Sequence, residues 1–139
     1  MIKISPSILN VKSSEIENKV QLLDNAGADY IHIDVMDGNY VPNKSFGPKT
    51  ISKLRKITKK ILDVHLMISP VEYKIQEFID AGSDIISFHP EADANSMEII
   101  NIINNSRAKS GIAIHPNINI EKIEKYLPFI KQIIVMTVL

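Results

Sequence analysis

Short apolar runs rich in Ile and Val alternate along the chain with longer stretches of helical periodicity. The short runs predict buried β-strands, and the longer stretches predict amphipathic helices. The predicted strands cover residues 2–9, 29–35, 61–68, 84–89, 111–115 and 132–138. The predicted helices cover residues 14–26, 48–58, 70–81, 94–106 and 120–126. The pattern therefore indicates about six strands, most of them followed by a helix.

Residues typical of helix ends support these boundaries. Ser13 or Ser14 can cap the first helix, and Asn119 can cap the last one. Pro70 suits the first turn of the third helix, where a missing N–H group costs nothing.

A repeated phrase indicates how the elements are connected. DNAGADYIHI and EFIDAGSDIISF both read as a helix end, Ala-Gly, a polar residue and a strand. Gly27 and Gly82 are expected to end their helices in the left-handed conformation. Repeated helix-to-strand units of this kind favour a parallel sheet with crossover helices.

Four of the predicted strands carry polar residues at alternate positions, so each has one polar and one apolar face. Strands of an open parallel sheet are usually apolar on both faces. A polar face shared by successive strands instead indicates a (β/α) barrel, with helices outside and a polar centre inside. The alternating polar pairs are Ser5 and Ser7, His32 and Asp34, Asp63 and His65, and Ser87 and His89.

The chain length limits how much of such a barrel can be present. A complete (β/α)8 TIM barrel usually needs at least ~200 residues, whereas this chain has 139. We therefore expect residues 1–139 to form a single domain, the N-terminal part of a TIM barrel with only about six β/α units.

Composition and charge exclude several classes of partner. The 16 basic and 16 acidic residues give a formal net charge of +0, which provides no long-range attraction for nucleic acid or anionic membrane. The sequence has no cysteine, which fits a reducing compartment, and no apolar run long enough to span a bilayer. We expect a cytoplasmic protein without nucleic-acid or membrane partners.

Two histidines and an aspartate are the strongest candidates for chemistry. His32 and Asp34 share one face of the second strand, and His65 lies on the next strand. Two imidazoles and a carboxylate suit a divalent cation such as zinc, iron, manganese or cobalt. From spacing alone, a metal site and a set of hydrogen-bonded core histidines both remain open.

Other residues near strand ends have weaker signals. His89 and His115 each precede a proline, which favours an extended strand end and a structural or hydrogen-bonding role at the barrel rim. Met36, Met67 and Met136 recur at strand ends. They are typical of core packing, but they could also line a polar site and exclude water from it.

Six motifs in order along the chain carry a family resemblance. They are SPSIL at 5–9, HIDVMDGNYVPNKSFGP at 32–48, DVHLMI at 63–68, SFHPEA at 87–92, GIAIHP at 111–116 and VMTV at 135–138. Together they resemble the ribulose-phosphate 3-epimerase family from end to end of the chain. The stretch from HIDVMDG to FGP is the most specific of them.

The resemblance implies a metal-dependent TIM-barrel isomerase that interconverts ribulose 5-phosphate and xylulose 5-phosphate through an enediolate. By position, it implies that His32, Asp34 and His65 hold one divalent cation, and that Ser7 and His65 bind the substrate. It also implies that Asp34 is one of two catalytic acid–base carboxylates, since inversion at C3 needs a base on one side and an acid on the other.

The sequence departs from the family pattern in three places. The second catalytic aspartate and the phosphate-binding loops of the family have no counterpart in the 139 residues. Where the family usually has Asn-Pro on the fifth strand, this chain has His115-Pro116. We therefore expect little epimerase activity from this chain.

Two alternatives remain open. The chain could be a truncated, non-catalytic assembly module, whose open sheet edges favour pairing with other chains and a homo-oligomer. It could also belong to an epimerase that acts on allulose 6-phosphate.

Overall fold

The computed structural model describes residues 1–138, which contain four α-helices and five β-strands. The helices are α1 (Ile16–Asn25), α2 (Pro48–Ile57), α3 (Ile75–Ala81) and α4 (Ser96–Asn104). The strands are β1 (Tyr30–Met36), β2 (Ile61–Met67), β3 (Ile85–Phe88), β4 (Lys109–Ile114) and β5 (Gln132–Val135). Short 3₁₀ helices span Pro90–Ala92, Ile120–Lys122 and Glu124–Phe129.

All five strands are parallel and lie in chain order, from β1 to β5. Each neighbouring pair is joined by a helical crossover, which is the connection that parallel strands require. The sheet curls into part of a (β/α) barrel, so the predicted barrel class is confirmed.

Apolar and polar side chains alternate along β1, so the strand has one apolar and one polar face. Ile31, Ile33 and Val35 are buried against the helices, while His32 and Asp34 are half-buried on the other face. Burying these apolar side chains stabilises the sheet and fixes its register, because a slip of one residue would exchange the two faces. The predicted division of this strand is confirmed.

The predicted strand over residues 2–9 is wrong as a strand. The segment runs beside β1 and makes an isolated bridge between Ser7 and His32. The His32 N–H donates to the Pro6 carbonyl, and the Ile8 N–H donates to the His32 carbonyl. Pro6 has no N–H group of its own, which prevents a continuous ladder. Ser5 and Ser7 nevertheless point to the polar centre, as predicted.

The third helix begins five residues later than predicted, at Ile75 rather than Pro70. The backbone N–H groups of Val71 and Glu72 donate to the Asp93 carboxylate instead of entering a helix. This contact comes from a distant segment, so local helix signals could not show it. The left-handed Gly82 that follows this helix is confirmed, with φ of 108°.

The first and the last predicted helices also differ in part from the prediction. The first helix is preceded by Glu15 and has no side-chain cap, so the expected cap at Ser13 or Ser14 is wrong. The cap at Asn119 is confirmed, because its side chain accepts from the Glu121 N–H. The last predicted helix consists of 3₁₀ turns, in which the backbone N–H of Lys122 donates to the Asn119 carbonyl.

Candidate metal centre

The polar face of the sheet brings together the three side chains that the sequence singled out. Asp34 in β1 and His65 in β2 are direct partners in the parallel register. His32 lies two residues before Asp34 on the same face of β1. Because parallel strands present the same end to one edge of the sheet, these groups converge.

The spacing of the three donor groups fits a divalent cation. Asp34 Oδ1 is 3.2 Å from both His32 Nε2 and His65 Nδ1, and one donor atom from each residue lies within 4.8 Å of the others. Two ligands of a tetrahedral zinc ion with bonds of 2.0–2.1 Å are about 3.4 Å apart. The two imidazoles and the carboxylate are also suitable ligands, so the residues present fit such an ion.

Asp63 holds the first histidine in position from behind. Its Oδ2 is 2.8 Å from His32 Nδ1, which leaves Nε2 directed at Asp34. Its Oδ1 accepts a hydrogen bond of 2.6 Å from the Gln132 side chain. A carboxylate behind a metal-binding histidine fixes the tautomer and orientation of the ring. Asp63 is a positioning residue that the sequence pattern did not single out as a site residue, although its place two residues before His65 on the same strand is a usable signal.

A glycine in β4 leaves space for the contact between Gln132 and Asp63. A Cβ atom at Gly111 would collide with the Ser87 hydroxyl and with Cγ of Gln132. The missing side chain lets Gln132 cross from β5 to reach Ser87 and Asp63. The network therefore links four strands beneath the candidate site.

The electrostatics of the centre favour positive charge next to Asp34. Burial lowers the pKa of His32, but hydrogen bonds to Asp34 and Asp63 outweigh burial and raise that pKa to about 9. Burial raises the pKa of Asp34, but hydrogen bonds with His32, His65 and Ser7 outweigh it and hold that pKa well below its usual range. Asp34 is therefore an ionised carboxylate at neutral pH. The same carboxylates that favour the imidazolium would favour a bound cation.

The two oxygens of Asp34 have different partners. Oδ1 faces His32 and His65, while Oδ2 accepts a hydrogen bond of 2.6 Å from the Ser7 hydroxyl. One oxygen can thus serve as a ligand while the other remains available for proton transfer. This arrangement brings the predicted substrate-binding Ser7 into contact with the predicted catalytic carboxylate.

The three predicted lining methionines share one cavity. Met36, Met67 and Met136 line a cavity of about 280 Å³ together with His89 and His115. His89 is completely buried, and its Nε2 lies 2.9 Å from His65 Nε2. The cavity wall is therefore mainly apolar and adjoins the candidate metal centre through His65 and His89.

The role of Asp63 can be tested with an amide. In Asp63→Asn only one side-chain oxygen remains, so either His32 or Gln132 loses its acceptor. We expect the affinity of the centre for Zn²⁺ to fall about 10–100-fold, as for other partners of metal-binding histidines. Equilibrium dialysis against Zn²⁺ measures the change, with His115→Asn present in every variant so that only this centre binds the ion. Asp80→Asn on the surface of α3 is the control, and an equal loss in both variants would contradict the assignment.

The fold and these side chains together define a (β/α) barrel protein with a group of residues able to hold a divalent cation. The family model described as the ribulose-phosphate 3 epimerase family matches residues 3–139. The chain belongs to this family.

Curated relatives agree with the family match. The chain is 42% identical over 137 residues to ribulose-phosphate 3-epimerase of Rhodobacter capsulatus, covering 99% of this chain and 60% of the relative. It is 38% identical over 138 residues to the protein of the same name from Bacillus subtilis (strain 168), covering 99% and 64%. The chain thus spans about 60% of the length of these relatives.

Solved structures agree at the level of the fold. A tryptophan synthase alpha chain from Legionella pneumophila superposes with a TM-score of 0.69 at 14% identity, covering 99% of this chain and 62% of that chain. A putative phosphonomutase from Burkholderia cenocepacia J2315 gives a TM-score of 0.63 at 9% identity, with coverage of 96% and 62%. Within residues 1–138, no helix is long and apolar enough to cross a membrane.

Proposed function

We propose that this chain contributes the metal-binding half of a site that epimerises C3 of a pentulose 5-phosphate, interconverting ribulose 5-phosphate and xylulose 5-phosphate. The observation that carries the proposal is the divided role of Asp34, with Oδ1 toward two histidines and Oδ2 toward Ser7. Family membership and the names of the relatives support the same reaction.

His32, Asp34 and His65 would hold one divalent cation, with zinc, iron, manganese and cobalt as candidates. When bound, such an ion supplies positive charge that stabilises the negative charge developing on substrate oxygens as the C3 proton leaves. The choice among these metals is set by availability as well as by ligands, because the donor set suits them all.

The chain's own residues would handle the proton. Asp34 is ionised, so Oδ2 can accept the C3 proton on one face of the substrate. The Ser7 hydroxyl donates to Oδ2 and fixes its direction, and the Ser7 oxygen can accept a hydrogen bond from a substrate hydroxyl. As the family resemblance implies, His65, whose Nδ1 lies next to Asp34 Oδ1, would contact the substrate from the same side. Met36, Met67 and Met136 would exclude water from the reacting carbon.

A half-reaction tests this proposal directly. One carboxylate is enough to exchange the C3 proton with solvent, even where inversion needs a second group. We expect the Zn²⁺-loaded chain to incorporate deuterium at C3 of ribulose 5-phosphate in D₂O, as followed by NMR. Removal of the metal with a chelator should return exchange to the buffer rate. Equal exchange by the loaded and chelated chains would contradict the proposal.

We also propose that residues 1–139 form a single domain that associates into a homo-oligomer. One continuous hydrophobic cluster supports the single domain. Strand β5 lies at the edge of the sheet, and its Ile133 and Val135 side chains are 40% and 66% exposed. An apolar edge strand is a template for pairing with another chain.

Sedimentation velocity measures this association. We expect species heavier than the 15.6 kDa monomer, and we expect Val135→Lys to reduce them because a charge opposes edge pairing. Tyr73→Lys is the control, since Tyr73 is exposed on a different part of the molecule. A single monomeric species at all concentrations would contradict the proposal.

A further inference from the structure

A second group of metal-ligating side chains lies beside the first one. His89, Glu91 and His115 each offer one donor atom, and the three atoms lie within 4.8 Å of one another. Glu91 Oε1 is 3.5 Å from both His89 Nδ1 and His115 Nε2. These two separations match the roughly 3.4 Å between neighbouring ligands of a tetrahedral zinc ion.

An independent observation also points to a ligand at this position. His89 is 0% exposed, and within residues 1–138 its Nδ1 atom has no hydrogen-bond partner. Buried polar atoms nearly always have a partner, so an orphaned imidazole nitrogen requires an explanation. A cation between His89, Glu91 and His115 would supply that partner.

The surroundings hold this group in place and leave it accessible. The Tyr40 hydroxyl lies 3.0 Å from Glu91 Oε1 and 3.0 Å from His115 Nε2. The His89 and His115 rings stack with centroids 4.7 Å apart. Both histidines line the cavity of about 280 Å³, so an ion could reach them without unfolding of the barrel.

We propose that His89, Glu91 and His115 form a second divalent-metal site, best suited to Zn²⁺. Two imidazoles, one carboxylate and an open fourth position are a common ligand set for zinc. The Glu91 carboxylate offsets part of the charge of the ion. The site shares no ligand with the first centre. The proposal therefore does not depend on whether the chain acts on a sugar phosphate.

The two sites influence each other through one contact. A neutral imidazole that binds a metal through Nδ1 carries its proton on Nε2. His65 Nε2 and His89 Nε2 are 2.9 Å apart, so two N–H groups cannot face each other there. A metal on one site therefore disfavours a metal on the other, and the second site is best measured with the first one disabled.

Zinc binding to an Asp34→Asn chain provides the test. Equilibrium dialysis with Zn²⁺ alone should show one bound ion per chain. Adding His115→Asn should weaken this binding by at least about 100-fold. Losing a ligand lowers metal affinity by more than the roughly 10–100-fold that is typical when a residue hydrogen-bonded to a ligand is lost. Adding Asp80→Asn instead should leave it intact, since Asp80 contacts Gln76 on the surface of α3 and is not a ligand.

Several results would overturn the site. Zinc binding that is equally weak with and without His115→Asn would do so, and so would a loss in Asp80→Asn as large as that in His115→Asn. A second readout needs no variant beyond Asp34→Asn: bound Co²⁺ should show the visible bands of a four-coordinate ion. Absence of these bands would also overturn the proposal, even if His115→Asn failed to fold.

Discussion

Replacing Asp34 with asparagine is expected to weaken Zn²⁺ binding at the first centre by more than about 100-fold. This loss is larger than the roughly 10–100-fold that is typical for a residue that only hydrogen-bonds to a metal ligand. Asp34 Oδ1 is the atom that His32 and His65 share, at 3.2 Å from each. An amide oxygen carries no charge, so it can neither attract the cation as strongly nor accept the C3 proton. Exchange of that proton should fall to the buffer rate in the same variant.

The measurement is equilibrium dialysis in a His115→Asn background, which removes the second proposed site. Asp80→Asn is the matched control, because it makes the same chemical change on an exposed surface where Gln76 is the hydrogen-bond partner. If Asp34→Asn bound zinc and exchanged the proton as the parent does, the assignment of Asp34 would be wrong.

Phe88→Ala is expected to cost about 3–5 kcal/mol of folding free energy, the range for removing a buried phenylalanine. Phe88 is 0% exposed and lies in β3 between Leu66 of β2 and Ile112 of β4. Deleting its ring leaves a cavity behind the strand that ends next to His89. Because the free energy of unfolding of a native protein is only about 5–15 kcal/mol, the variant would lose much of its stability.

Urea unfolding followed by circular dichroism measures this loss, with all samples at one protein concentration because association changes apparent stability. Phe129→Ala is the control, since its side chain is 50% exposed. We expect the control to cost at most about 1 kcal/mol, as is usual outside the core. Equal losses in the two variants would contradict the proposed core.

The sequence alone predicted the parts of this structure that depend on local periodicity. The period of two in β1 places His32 and Asp34 on one face, and the structure confirms this division. The glycines after two helices also have the expected positive φ. These features follow from backbone geometry within a few residues, so a single sequence shows them.

Features that depend on distant contacts could not be predicted in this way. Asp93 takes up the N–H groups that would otherwise start the third helix at Pro70. His89, Glu91 and His115 come together only because β3 and β4 are neighbours in the sheet. The role of Asp63 likewise depends on Gln132, which lies 69 residues later. The spacing of residues in the sequence does not show such pairs, because they depend on which strands are neighbours and on how those strands are aligned.

X-ray absorption at the zinc edge tests the central claim most directly. The His115→Asn chain, loaded with one equivalent of Zn²⁺, contains only the first centre. We expect two imidazole nitrogens and carboxylate oxygen in the first coordination shell at about 2.0–2.2 Å. A first shell without imidazole, or a chain that retains no zinc, would contradict the claim that His32, Asp34 and His65 form a metal centre.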